Sequence, residues 1–458
     1  MMKTHKNLWL LTLLTCTLLA CKKDFLDQKP SSDILAPKTL TELQGILEAA
    51  ERIAPTGALP QLSCDDYLII ADQNYNALIT ATQRNAYTWQ KNLYEGEKVE
   101  DWNSPYQTIF YANSVLEVLA EQSYANPAEA NRIKGWAYFV RAYAYYDMAK
   151  NFCKVYSPNA GNDLGLPLRK NASVDVIEKR ASLEETFRFI LSDLDASLPL
   201  LNPLVEPLNK SRPSKAASWA MKARVYLYMG DYRSAESSAD SALRYHDKLI
   251  DFSTVNTSSD TPFSHNAAEV IYHSNQIGAY SSTTGTGNRP DIEVNPELYQ
   301  SFAAEDLRKS IFFRTNTLGR INVKRGYMSA GIYQFSGLAC DELYLIKAEC
   351  LARRGETGLS LQCLNRLLST RFKKTPNFQP LTAANAAEAL NIILLERRKE
   401  LIWRGIRWSD LKRLNREGAA ITLIRFINGK TYTLSPNDAR YAFPIPEQEI
   451  NQSGIEQN

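Results

Sequence analysis

Trp219-Ala220-Met221-Lys222-Ala223-Arg224-Val225-Tyr226-Leu227-Tyr228-Met229-Gly230-Asp231-Tyr232 is the stretch on which the reading of the fold turns. Large and small apolar residues recur here at helical spacing: Trp219, Ala223 and Tyr226, then Gly230 and Tyr232, then Ala235, Ala239 and Ala242. The pattern predicts two helices joined at Gly230 that cross closely over their small residues, as in the 34-residue tetratricopeptide (TPR) unit. Arg212-Pro213-Ser214 stands before it, with Ser214 placed to cap the first helix. Gly230 can take the left-handed conformation that closes that helix at little steric cost.

Other copies follow from the same offsets. Tyr344, Ala348, Leu351, Gly355, Leu364 and Leu367 repeat them more weakly, with Thr357 and Ser360 in place of the tyrosine and alanine. Trp136 to Phe152, with Tyr138, Ala142 and Tyr145 on one face, gives a third candidate, and Leu394 to Leu414 a fourth helical segment. The copies are not tandem, so a plain solenoid is not expected. Two long insertions separate them. Residues 60–108 carry Tyr67, Tyr75, Tyr87, Trp89, Tyr94, Trp102 and Tyr106 among Asp, Asn and Gln. Residues 251–338 are polar and include Thr283-Thr284-Gly285-Thr286-Gly287, which reads as a flexible loop. A short strand pair is expected around Ile424–Leu434, turning at Asn428-Gly429.

The amino-terminal residues speak to compartment. Lys3, His5 and Lys6 precede an uncharged run from Leu8 to Ala20, which is shorter than the roughly 20 apolar residues a spanning helix needs. The layout is that of a secretory signal, residues 1–20, cut before Cys21 in Leu18-Leu19-Ala20-Cys21. That context resembles a lipobox, which makes Cys21 the expected lipidation site and the chain an anchored protein without a membrane-spanning helix. The remainder, 21–458, is expected to form one unit, with an N-terminal part over 21–215 and a C-terminal part over 216–458.

Charge excludes some partners. The whole chain carries 53 Lys+Arg against 50 Asp+Glu. Residues 1–20 contribute only Lys3 and Lys6 to that balance, so the rest is nearly neutral. Nucleic acid calls for a basic face and is not expected as a partner. Cys64, Cys153, Cys340, Cys350 and Cys363 are odd in number and form no C-x-x-C, so neither a disulfide framework nor a zinc ribbon is indicated. They read as small buried hydrophobes.

Catalytic chemistry finds no foothold. There is no H-E-x-x-H, no G-x-S-x-G elbow and no P-loop, and Gly285-Thr286-Gly287 lacks the third glycine of a dinucleotide loop. His265 and His273 are too loosely spaced to argue for a metal, and no cofactor is implied. Asp65-Asp66 could be an acid–base pair, but glycosidase carboxyls lie about 5–10 Å apart across a sugar; a turn-capping or ligand-contacting role suits adjacent residues better. The charged block 396–413 is expected to be a helix-surface brace, with Glu396 meeting Glu400 or Lys399 and Arg404 meeting Trp408.

Taken in order, several segments resemble one family. Cys21-Lys22-Lys23-Asp24-Phe25-Leu26-Asp27 is similar to the mature start of SusD/RagB proteins, surface lipoproteins of Bacteroidota. Trp102-Asn103-Ser104-Pro105-Tyr106, Gly165-Leu166-Pro167 and Glu342-Leu343-Tyr344-Leu345-Ile346-Lys347-Ala348-Glu349 resemble its internal motifs. So do Glu396-Arg397-Arg398-Lys399-Glu400-Leu401, then Gly405-Ile406-Arg407-Trp408-Ser409-Asp410-Leu411-Lys412-Arg413, and the closing Phe443-Pro444-Ile445-Pro446. The resemblance implies a mainly α SusD-like fold with about four TPR-like helix pairs and an irregular binding face. It implies the cell outer membrane, a glycan or oligosaccharide ligand (a peptide in some members), and a SusC-like TonB-dependent transporter over which the protein sits as a lid.

An aromatic ring with polar neighbours suits the C–H face of a sugar. On that ground Asp66, Tyr67, Tyr75 and Arg84 in the first insertion, with Tyr280 and Arg289 in the second, are the candidate ligand-binding residues. Three roles compete: a non-catalytic nutrient-binding lid, a surface-tethered hydrolase, which the missing motifs disfavour, and a TPR scaffold that binds only protein.

Overall fold

The structure is a computed structural model that describes residues 37–49, 55–173, 175–374 and 379–458. The expected signal segment and Cys21 lie outside the described residues. Ten longer helices carry the frame: α1 (Leu40–Glu48), α2 (Glu100–Glu121), α3 (Pro127–Phe152), α4 (Leu183–Ser197), α5 (Lys215–Met229), α6 (Tyr232–Tyr245), α7 (Cys340–Arg353), α8 (Thr357–Leu368), α9 (Ala386–Glu400) and α10 (Arg407–Arg416).

Local chemistry sets most of their ends. Thr39 and Ser182 each close a capping box, with Glu42 and Glu185, at the starts of α1 and α4. Asn126 accepts from the Glu129 amide and Pro127 fills the first turn of α3. Ser214 caps α5 as expected, and Gly230 ends it at φ 85°. Asp231 then starts α6 at once, so α5 and α6 form the helix–turn–helix read from the sequence. The second copy is also present, as α7 and α8 joined through Gly355 at φ 90°.

α3 is the axis of the molecule. From Ile133 to Phe152 nearly every residue is buried, including Trp136, Phe139, Tyr143, Tyr145, Tyr146 and Phe152. A helix buried on all sides must be wrapped by others, and α2 and α4 flank it. Its buried Arg141 donates to both oxygens of Asp193 on α4 at 2.7 Å and to Asn113 on α2 at 2.6 Å. At its C-terminal end, Lys412 of α10 donates to the Lys150 and Cys153 carbonyls at 2.7 Å each, satisfying acceptors that a helix end leaves open. The third candidate helix is thus real, but it is the middle of a three-helix layer instead of half of a pair. The principal core runs from Leu43 to Ile455, joining both parts of the chain. All five cysteines of the described chain are free and buried, as their composition suggested.

The strand pair Leu423–Ile427 with Lys430–Leu434 is present, and Asn428 (φ 50°) and Gly429 (φ 69°) make its two-residue turn. A second short pair matters more for function. Tyr67–Ile69 lies antiparallel to Ile292–Val294, with Leu68 opposite Glu293. This pairing brings the two insertions onto one face. They share a cluster of Tyr67, Tyr75, Tyr87, Ile292, Val294, Phe313 and Trp403, and residues 252–339 hold a further small core around Phe252, Phe263, Ile311, Tyr327 and Phe335.

The expected flexible loop at 283–287 is a correction. Ser281–Thr284 is a helical turn, and Thr283 and Thr284 are buried. Gln83 donates to Ser282 and Thr283 at 2.7 and 3.0 Å, and the Trp403 indole donates to the Thr284 carbonyl at 2.8 Å. Glycine content signalled a loop, but side chains far away in sequence anchor it.

Candidate ligand-binding site

The candidate residues of the first insertion point inward. Tyr67 is 1 % exposed; its hydroxyl donates to the Leu62 carbonyl at 2.9 Å, and its ring lies 5.7 Å from both Tyr87 and Trp403. Tyr75 is buried too, its hydroxyl donating to the Arg84 carbonyl at 3.3 Å, while the Arg84 guanidinium donates to Leu78 at 2.6 Å. Asp66 is buried beside the ion-paired Asp65; burial pushes its carboxyl up despite Arg398. Asp65 accepts from Arg407 at 2.7 and 3.0 Å and from Arg398 at 2.9 Å. Burial acts to raise its pKa, yet Arg407 and Arg398 hold it well below the usual carboxylate range. The pair therefore ties the first insertion to α9 and α10, and the contact roles drawn for Asp66, Tyr67, Tyr75 and Arg84 give way to framework roles in this conformation.

What these aromatics enclose is a cation from the chain itself. The Arg425 guanidinium lies 3.8 Å from the Tyr87 ring centroid, 4.6 Å from Trp89 and 5.5 Å from Tyr67. It also donates to the Tyr87 and Cys64 carbonyls. A desolvated cation over an aromatic face gains about 2 kcal/mol or more. The sequence signal of a sugar platform is real aromatic clustering, used internally.

Tyr280, from the second insertion, is 3 % exposed and turns its hydroxyl to Asp101. Asp101 accepts the Ala58 and Leu59 amides at 2.6 and 2.9 Å, capping the short helix Leu59–Ser63. Burial, helped by Asp147, raises its carboxyl from 3.8 to about 7 against those hydrogen bonds. The folded state then holds a proton that the unfolded chain releases between about pH 4 and 7, so this group's contribution to stability falls as pH rises through that window. Asp101→Asn keeps an acceptor for the two amides and removes the titration. The expected result is a flatter dependence of unfolding free energy on pH from 4 to 7 than in the parent, measured by urea denaturation; an identical slope would contradict it.

The charged block 396–413 braces the fold, but from inside instead of from a helix surface. Glu396, Arg397, Lys399 and Glu400 are all buried. Glu396 meets Lys399 at 2.6 Å, as the spacing suggested, and Arg308 at 2.5 Å. Arg404 does not reach Trp408: it pairs with Asp341 at 2.6 Å and lies over Tyr327 and Phe335. Trp408 instead stacks on Phe443. Glu269, Asp341 and Glu400 bring ligand-type oxygens within 4.8 Å of one another, but Arg371, Arg404 and Arg308 already neutralise them. His265 and His273 come together in space, ring centroids 3.7 Å apart. Burial and the neighbouring ring push His273 down to about 3.

Both insertions line clefts: Trp89, Gln90 and Tyr94 of the first lie along one with Phe443 and Pro444, and the second holds another. This narrow cleft is lined by Phe263, Tyr327, Tyr333, Phe335 and Trp403, with Thr286, Lys324 and Arg325 among its polar residues. Tyr333 is 38 % exposed, and its neighbour Ile332 39 %. Arg289 is half-buried, and its Nε has no acceptor among the described residues. Sequence reasoning named neither Tyr333 nor Arg325, and nothing in the local pattern distinguishes an exposed tyrosine from the buried Tyr327 six residues earlier.

This architecture, an α frame with two insertions joined on one face, has close counterparts. A family model described as starch-binding associating with outer membrane matches residues 24–227, and one described as the SusD family matches 341–458. Together they cover more than half of the chain. The SusD-like protein P2 of Formosa agariphila is 24% identical, over 90% of this chain and 91% of its own. A solved SusD superfamily protein from Bacteroides thetaiotaomicron superposes with a TM-score of 0.73 at 19% identity, covering 92% of this chain and 99% of its own. The surface glycan-binding protein A from Bacteroides fluxus gives a TM-score of 0.69 at 18% identity, over 92% and 99%. The chain belongs to the SusD/RagB family, whose fold it shares throughout the described core, and neither family description denotes an enzyme.

Proposed function

We propose that this chain is a non-catalytic glycan-binding lipoprotein of the outer membrane, anchored through lipid on Cys21, that acts as the lid of a SusC-like TonB-dependent transporter. The family descriptions support outer-membrane association and carbohydrate binding. The observation that carries the reading is the cleft: an aromatic lining interspersed with polar groups, the arrangement by which a small polar ligand is held by apolar area and oriented by a few charged or amide groups. Its buried acids support a binding role over hydrolysis, because Glu400, the carboxylate on the cleft wall, is spent on Arg308 and Arg371.

As a lid, the protein would add ligand affinity to the closed state of the pair, and only that difference in affinity can shift the equilibrium towards closure. Loss of the lid should reduce capture of long oligosaccharides more than intrinsic transport. Tyr333 supplies the exposed ring of the cleft, and Tyr333→Ala is expected to weaken oligosaccharide binding about tenfold, the effect of removing roughly 1.4 kcal/mol of ring contact. Titration calorimetry of parent and variant against the same saccharide checks this. Equal affinities would move the sugar away from the cleft.

A further inference from the structure

Where the two insertions meet the helical frame, the structure holds a small polar chamber. Its wall includes Asp147 and Lys150 of α3, Tyr228 of α5, Arg397 of α9 and Asp410 of α10. Thr56, just ahead of the first insertion, and Ser336, near the end of the second, complete it. The Thr56 hydroxyl donates to that of Ser336 at 2.7 Å. Arg404 lines both the chamber and the cleft, so the two share a wall.

Three of these residues carry polar atoms that no group among the described residues satisfies. Asp147, Tyr228 and Arg397 are each 2 % exposed. The Tyr228 hydroxyl has no hydrogen-bond partner. Arg397 donates from Nε to Asp410 at 2.9 Å, while its Nη1 finds no acceptor. Asp147 accepts the Gly57 amide on Oδ2 at 2.7 Å; its Oδ1 faces the Lys150 ammonium at 3.0 Å without a hydrogen bond. Native interiors leave few such groups, because each costs its full desolvation. A guanidinium donor, a hydroxyl and a carboxylate acceptor on one chamber call for a ligand that both accepts and donates.

The charges decide its class. Lys150 meets Asp147, Arg224 meets Glu342 at 2.6 Å, and Arg404 meets Asp341 at 2.6 Å. Arg397 and Arg413 share Asp410 at 2.9 and 2.7 Å, and Arg413 also holds Glu349 at 2.5 Å. The five cations of the wall thus meet five carboxylates, and an ion of either sign would enter as an uncompensated buried charge. We infer that the chamber binds ordered water, which accepts from Arg397 and Tyr228 and donates to Asp147. A buried water typically makes about three hydrogen bonds, and the chamber has room for a molecule of that size but not for a sugar. The water joins α3, α5 and α9 beside the roots of both insertions.

Crystals of the full chain, grown from detergent in rubidium bromide, test the occupant directly. The expected result is electron density within hydrogen-bond distance of Arg397 Nη1 and the Tyr228 hydroxyl, with no anomalous signal from either ion. An anomalous peak there would overturn the neutral class, and a chamber without density would overturn the site. Tyr228→Phe gives an independent readout in solution. If the hydroxyl bonds to water, its loss should raise the unfolding equilibrium constant about fivefold, the scale of one net hydrogen bond. Urea denaturation of parent and variant measures this. Equal or greater stability in the variant would show that the hydroxyl had no partner to lose, and would overturn its place in the site.

Discussion

Arg371→Met is expected to destabilise the fold by about 3–5 kcal/mol, the scale seen when one partner of a buried ion pair is removed. The Arg371 side chain and its partners Glu269 and Glu400 have no solvent exposure. Its Nε donates to Glu400 at 2.7 Å, one Nη to Glu269, and the other to the Ile250 carbonyl and Thr370 hydroxyl at 2.9 Å each. The guanidinium plane lies 4.1 Å over Phe252. Methionine fills part of the volume but leaves Glu269 facing Glu400 and Asp341 without its cation. The cost lies in these stranded carboxylates, so adding Glu269→Gln to Arg371→Met should recover part of it. Urea denaturation of the parent, the single and the double variant measures both effects. A loss below about 1 kcal/mol in the single variant would mean that the acids find other partners.

Arg425→Met should cost about 2–4 kcal/mol, from the lost cation–π contact and the buried carbonyls left without a donor. Unlike Arg371, Arg425 bridges the C-terminal hairpin to one local segment, through Tyr67, Tyr87 and Trp89 and the carbonyls of Cys64 and Tyr87. The damage should therefore be local. Hydrogen exchange at amides between residues 59 and 94 is expected to quicken well before that of α3 or α5. Uniform acceleration across the chain would show instead that the cage contributes to the fold as a whole.

These two arginines also show where sequence reading ends. The helix–turn–helix of Trp219 to Leu249 was legible because its signals are local: a capping serine, a helix-ending glycine, small residues at fixed offsets. The hairpin at Asn428-Gly429 was legible for the same reason. The aromatic cluster of 60–108 was visible too, but its use was not, since the cation it encloses comes from Arg425, more than 300 residues away. Likewise, helical spacing placed the charges of 396–413 on a surface because it could not see Arg308, Arg371 and Glu269 closing over them. The second insertion does hold a cleft with aromatic walls. Within the insertion, Arg289 is half-buried and lies outside the cleft's lining, Tyr280 packs on Asp101, and the exposed ring is Tyr333. Long-range packing decides which of several similar tyrosines faces water, and one sequence carries no trace of it.

The most direct test of the account is calorimetric titration of the full chain, in detergent, against a panel of neutral and acidic oligosaccharides and peptides, with the products analysed in the same samples. The account predicts saturable binding to a saccharide, weakened about tenfold by Tyr333→Ala, and no change in the ligand after prolonged incubation. Cleavage of the ligand would contradict the non-catalytic reading. Binding confined to peptides, or none at all, would contradict the glycan reading of the cleft.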